Sequence, residues 1–213
     1  QCRLTLPGWY GFGTAVHRTN GLMLGSLYYT RIYKSTTAAG DVFNAASTGI
    51  AESNNSASAP FNTGIVPWDG DAGGNTVFTW VNLKVYKSTN FATSWTALGT
   101  SGLPTTSFVI RGVGVAPSDV NRIGIVASGG RVFFSANGGS TWTAGGTLPN
   151  NNLSLSKVTF DPVNPSVVYV ASVAATATAS HLWKSVNGGA TFVAIDTAAG
   201  FPAGVPVNTV KVD

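Results

Sequence analysis

The sequence predicts an all-β protein, a β-propeller built of four-stranded antiparallel blades. Three observations predict it. The phrase SANGGSTW (135–142) returns as SVNGGATF (185–192), with looser copies STNFATSW (88–95) and STTAAGDVF (35–43). The leading serines stand at 35, 88, 135 and 185, so the spacings are 53, 47 and 50 residues. Finally, no segment sustains the 3.6-residue periodicity of a helix, whereas short alternating aromatic and β-branched runs flank every copy.

Those runs supply the elements of each unit. RIYKS (31–35), KVYKS (84–88), RVFFS (131–135) and LWKS (182–185) each end on the phrase's serine. Upstream lie LMLGSLYY (22–29), TVFTWV (76–81), RIGIVAS (122–128) and VVYVAS (167–172). A further strand and a Pro-bearing turn precede these, clearest in GVGVAPSDVN (112–121) and KVTFDPVNPS (157–166). A fourth strand follows the phrase in SWTAL (94–98), TWTAGG (141–146) and TFVAID (191–196). Four short strands over about fifty residues are the unit of a propeller blade. The blades fall at about 11–49, 62–101, 108–149 and 155–198, within a single propeller domain or propeller segment.

NTVKVD (208–213) aligns with KVTFD (157–161) and reads as the first strand of a further blade. CRLTL (2–6) reads as the outer strand of a preceding one. Four blades with a spare strand read as an arc, whose open edges and apolar faces invite association. Self-association or a partner chain completing the propeller is therefore expected, with a self-closed four-bladed ring as the alternative.

Composition bounds the function. Charged residues are 9% of the 213, against about 25% in ordinary soluble domains. A surface of hydroxyls and amides suits a secreted or cell-surface protein. The net charge of +4 comes from scattered basic residues with no cluster, which argues against nucleic acid. Cys2 is the single cysteine, so no internal disulfide framework is expected. No apolar run is long enough for a membrane helix. No signal peptide is visible and the chain opens on Gln1, as a processed or truncated product would.

The phrase resembles the Asp box, or BNR repeat, S/T-x-D-x-G-x-T-W/F. The third and fourth copies match at Ser135, Gly139, Thr141 and Trp142, and at Ser185, Gly189, Thr191 and Phe192. The second keeps Ser88 and Trp95, and Asn90, Asn137 and Asn187 stand where the family has Asp. With DPVNP, VVYVAS and LWKSVNGGATF, the chain looks most similar to the xyloglucanase-like and sortilin-like propellers. The resemblance implies that the box is a structural turn between the third and fourth strands, away from the ligand face. Asn would accept backbone hydrogen bonds, glycine would supply positive φ, and the aromatic would plug the apolar face of the blade.

Chemistry must then come from other residues. A glycoside hydrolase needs two facing carboxylates. The acids not absorbed by predicted turns or strands are Glu52, in AESNNSASAP, and Asp69 and Asp71, in PWDGDAGGN. Asp69, Asp71 and Asn75 also offer oxygens to Ca²⁺, although the same letters make an ordinary solvated turn. Trp68, Trp80, Trp9 and Tyr10 could stack on sugar rings, the alternative being core aromatics. His17 and His181 lack a second ligand at metal spacing, so no zinc site or other cofactor is expected. No arginine triad of the sialidase kind and no G-x-S-x-G elbow is present. Sequons lie at Asn54 and Asn152.

These observations leave three functions open. The first is a non-catalytic extracellular propeller that binds glycan or builds a surface assembly. The second is a segment of a xyloglucanase-like glycoside hydrolase acting on β-glucan. The third is a sortilin-like peptide-binding domain, disfavoured by the missing cysteines.

Overall fold

The computed structural model describes residues 12–40, 42–149, 154–174, 180–196, 201–202 and 205–212. Cys2, Trp9, Tyr10, Asp41, Asn152 and Asp213 lie outside them. The chain divides into two compact units, Gln1–Leu98 and Gly99–Asp213. Each contains two antiparallel four-stranded sheets.

Unit 1 holds β1 (Thr14–Val16), β2 (Met23–Leu27), β3 (Arg31–Ser35) and β4 (Phe43–Ala45) as blade 1. Blade 2 is β5 (Val66–Pro67), β6 (Val77–Trp80), β7 (Val85–Ser88) and β8 (Thr96–Ala97). In unit 2, blade 3 is β9 (Ile110–Ala116), β10 (Asp119–Ala127), β11 (Arg131–Ser135) and β12 (Thr143–Ala144). Blade 4 is β13 (Leu155–Phe160), β14 (Val168–Ser172), β15 (Leu182–Ser185) and β16 (Val193–Ala194). In every sheet the strands lie side by side in chain order, the meander of a propeller blade. The architecture is a partial β-propeller of about four blades.

The fourth strands are only two or three residues long, and the second and third strands of each blade make its centre. Residues 205–212 carry no strand, but Val207 donates its N–H to Ser172 O (2.8 Å) and accepts from Ser156 Oγ (2.9 Å). The core of unit 1 gathers Leu24 and Ile32 of blade 1 with Val77, Tyr86, Phe91 and Trp95 of blade 2. That of unit 2 gathers Val126 and Val132 of blade 3 with Val158, Phe160, Trp183 and Phe192 of blade 4. Among the described residues no helix is long and apolar enough to cross a membrane.

Antiparallel order fixes which residues share an end. The β1–β2, β3–β4, β5–β6 and β7–β8 turns lie at one end of their blades. The β2–β3 and β6–β7 turns and the β4-to-β5 connection lie at the other.

Candidate functional site

The repeated phrase is a closed hydrogen-bond circuit. Ser135 Oγ accepts the backbone N–H groups of Asn137 (3.3 Å) and Gly139 (2.8 Å) and donates to Asn137 Oδ1 (3.0 Å). Asn137 Oδ1 also accepts the Thr141 N–H (2.9 Å), while its Nδ2 donates to Thr141 Oγ1 (2.9 Å). Ser185, Asn187, Gly189 and Thr191 repeat the circuit. So do Ser88, Asn90, Ala92 and Ser94. Asparagine suits this turn because its amide donates to Thr141 or Thr191 where a carboxylate could only accept.

Gly138 and Gly139 hold φ of 69° and 84°, and Phe91 and Ala92 occupy the same places at 49° and 62°. Blade 2 thus keeps the turn without the glycines, in a region costing L-residues about 1–2 kcal/mol each. The first copy departs, since Ser35 Oγ accepts the Met23 N–H (2.8 Å) instead.

The closing tryptophans reach beyond their own blades. Trp95 donates its indole N–H to Ala46 O (2.8 Å), just past β4, and its backbone N–H to Thr48 O (2.9 Å). Trp142 does the same to Gly99 O (2.8 Å) and Ser101 O (2.9 Å) in the segment leading into blade 3. Gly49 and Gly102 make this possible, since a Cβ there would meet the Trp95 and Trp142 carbonyl oxygens at 2.2 and 1.9 Å. Beside the phrases lie an inter-blade cavity of about 250 Å³ in unit 2, lined by Arg122, Phe134, Asn137 and Thr141, and one of about 430 Å³ in unit 1, lined by Lys34, Asn44 and Thr93.

The carboxylates picked out by sequence do not converge. Asp69 and Asp71 sit in the β5–β6 turn, at the same end as the phrases. Glu52 sits in the β4-to-β5 connection, at the opposite end. Asp69 pairs with Arg18 (2.7 Å), whose guanidinium also donates to Asp69 O (2.9 Å). Asp71 accepts the backbone N–H groups of Gly73 (2.9 Å), Gly74 (3.1 Å) and Thr76 (2.7 Å), and these bonds, Thr76 first, hold its carboxyl below the usual range. Asn75 accepts from His17 (3.0 Å) if the ring carries its proton on Nε2. The proposed calcium ligands are therefore drawn into a turn with Arg18 at its carboxylate. No group of three or more His, Cys, Asp or Glu suited to a metal occurs among the described residues. Glu52 is held by Lys84 (2.7 Å) and the Tyr86 hydroxyl (2.5 Å). Burial works to raise its pKa, but the Lys84 and Tyr86 hydrogen bonds together hold it below the ordinary value.

Trp80 corrects the sequence reading. It is 6% exposed, with Gly64 against its ring, so its face is closed to ligand. Trp68 is half-buried at the phrase end, where its backbone N–H donates to Thr76 O (3.0 Å). Asn54 is exposed.

Two clusters escaped the sequence reading. At the end opposite the phrases, unit 1 gathers Phe12, Tyr28, Tyr29 and Phe61. The Phe61 ring stacks on Tyr28 (5.9 Å, 11° between planes) and meets Phe12 (5.5 Å) and Tyr29 (5.7 Å) edge-on. The Arg31 guanidinium lies 4.0 Å from the Tyr28 ring centre. Phe61 remains 58% exposed. Only the YY of LMLGSLYY hinted at this, because Phe61 joins from a connection without a motif. In unit 2, His181 and Asp196 are buried together, Nδ1 to Oδ2 at 3.3 Å, and the His181 backbone N–H donates to the same oxygen. His181 Nε2 and Asp196 Oδ1 have no hydrogen-bond partner. Both side chains are sealed from solvent, and the pair clasps the end of the fourth strand to the start of the third.

No protein-family model matches the chain, and no curated protein matches it in sequence. Solved structures do match in fold. A GH74 enzyme of Niastella koreensis superposes with a TM-score of 0.64 at 21% identity, over 91% of this chain and 31% of its own. The GH74 xyloglucanase of Xanthomonas campestris gives 0.61 at 14%, over 87% and 30%. YCF48 of Cyanidioschyzon merolae gives 0.58 at 14%, over 92% and 59%. The chain thus spans about a third of the GH74 structures it matches. At these identities the likeness is one of fold.

Proposed function

We propose that the protein is a non-catalytic, extracellular β-propeller module, of the Asp-box kind, that binds polysaccharide at the end opposite its repeated turns. The observation that carries this reading is the exposed ring cluster of Phe61, Tyr28 and Phe12. A large apolar ring exposed on a solvent-facing loop suits the C–H face of a sugar. The three carboxylates available for catalysis support the same reading, since each is held by a cation or by backbone donors and Glu52 lies at the opposite end from the others. Scarce charge and a hydroxyl-rich surface fit export.

The likeness to GH74 folds supports a second reading, a segment of a glycoside hydrolase whose acids lie partly outside this piece. Affinity electrophoresis and calorimetry with xyloglucan, mixed-linkage β-glucan and their oligosaccharides test both. Binding without release of reducing ends, abolished by Phe61→Ala, supports the first reading. Release of reducing ends supports the second.

A further inference from the structure

We infer that unit 2 carries a binding site of its own, in the notch between blades 3 and 4 at the phrase end, and that it takes the carboxylate-bearing ring of a uronic acid sugar. Each unit has such a notch, and strand register shows that equivalent positions build it. Leu24 pairs with Lys34 as Gly124 pairs with Phe134, each partner standing one residue before the phrase's serine. Leu22 therefore corresponds to Arg122, and Lys34 to Phe134. Each pair lines its own cavity, of about 430 Å³ in unit 1 and about 250 Å³ in unit 2.

The two notches differ in what their cation does. In unit 1 it stands on the third strand, where Lys34 donates to Thr93 Oγ1 (3.2 Å) with its ammonium 5.6 Å from the Phe91 ring centre. That lysine is engaged in joining blade 1 to the turn of blade 2. In unit 2 the same place holds a ring. Phe134 stacks on Phe192 (6.2 Å, 30°) and meets Phe160 edge-on (6.4 Å), and a Cβ on Gly189 would meet its ring at 2.1 Å. The cation stands instead on the second strand, where Arg122 is half-buried at the notch. A Cβ on Gly188 would lie 3.9 Å from Arg122 Nη1, so the guanidinium reaches the turn of blade 4. Asp119 approaches it at Nε, at 3.9 Å, beyond hydrogen-bond distance. Among the described residues no hydrogen bond holds this guanidinium.

The side chains around Arg122 offer further donors. Asn137 Nδ2 gives one of its two hydrogens to Thr141 Oγ1 and keeps the other, while the Thr141 hydroxyl keeps its own. The Thr143 hydroxyl lies on the exposed fourth strand. Asn137 Oδ1, by contrast, already accepts from Ser135 Oγ and the Thr141 N–H. Phe134, Phe160 and Pro165 make an apolar wall. A guanidinium matches a carboxylate with two parallel hydrogen bonds. The cavity is several times a water's share of liquid volume, about 30 Å³, and so leaves room for a ring behind the carboxylate. The remaining donors suit its hydroxyls and the wall its C–H face.

The site makes no use of the ring cluster of unit 1, and calorimetry with methyl glucuronide, methyl glucoside and acetate tests it separately. Wild type is expected to bind one glucuronide per chain, less tightly as salt rises, and to bind the neutral glucoside and acetate more weakly still. Arg122→Gln is expected to weaken glucuronide binding by about tenfold or more, since it removes charge-assisted hydrogen bonds. Lys34→Gln and Phe61→Ala are expected to leave it unchanged. If Arg122→Gln melts early, Thr143→Glu takes its place, setting a like charge at the rim from an exposed position and abolishing binding without loss of stability. Wild type that binds no glucuronide overturns the proposal, as does a folded Arg122→Gln that binds it as wild type does. Glucoside or acetate bound as tightly as glucuronide also overturns it, as does binding lost with Phe61→Ala.

Discussion

The two ends of the blades are built on opposite plans. At the phrase end, the polar side chains that shape the turns hold one another: in three blades the serine, the asparagine and the following threonine or serine close a circuit, Asp71 is held by three backbone donors and Asp69 by Arg18. At the other end of unit 1, large rings are left open to solvent around Phe61. The contrast teaches that repetition in this sequence marks construction. The proposed ligand surface lies where the repeats stop agreeing, in the β2–β3 turn of blade 1 and the connection into blade 2.

The sharpest way to break the contrast is at the closing tryptophans. Trp142→Ala removes a buried indole and its bond to Gly99, and is expected to cost about 3–5 kcal/mol in urea unfolding. Ser185→Ala leaves the backbone N–H groups of Asn187 and Gly189 without their acceptor, an expected loss of about 1–3 kcal/mol by the same assay. Its effect should be confined to stability, with glycan affinity retained.

Asn137→Asp sharpens the comparison through pH. The present turn carries no charge and so contributes no pH dependence. An aspartate there accepts the same Ser135 and Thr141 donors as a carboxylate, which depresses its pKa in the folded state, as Asp71 and Asp161 show for similar donors. Its contribution is then present above the unfolded value of about 4 and lost as pH falls through the folded value. The variant is expected to unfold at lower urea than wild type only below about pH 4, read from a pH series of melts.

The smallest effect comes from blade 2. Ala92→Gly relieves a left-handed residue in a turn where the other copies have glycine. A stabilisation of up to about 1 kcal/mol is expected by thermal melt. A loss instead would mean that the Ala92 methyl, fully buried, contributes more packing than its backbone costs.

Much of the fold was legible in the sequence, and for a physical reason. A blade cannot bury its faces alone, so each repeat must solve the same turn and the same packing problem with similar residues. The serines at 88, 135 and 185, the aromatics that close each phrase and the DPVNP turn are those solutions, written locally. The site was far less legible. Trp80 looks like a sugar-stacking residue in TVFTW but packs beneath Gly64, because the burial of a strand residue depends on what crosses above it. Glu52 and the DGDAGG pair look like one acidic set, but strand polarity separates them. Phe61 and Tyr28, 33 residues apart, are joined only by the fold. Likewise, the reach of Trp95 to Ala46, across 49 residues, is a contact between blades, where the phrase alone suggested a plug into its own blade.

The division of labour between the two ends is the central claim, and titrating xyloglucan and β-glucan oligosaccharides into wild type, Phe61→Ala and Ser185→Ala tests it most directly. Phe61→Ala is expected to lose binding while melting as wild type does, and Ser185→Ala to bind as wild type does while melting earlier. Undiminished binding by Phe61→Ala, or binding lost with Ser185→Ala in its folded range, would contradict it.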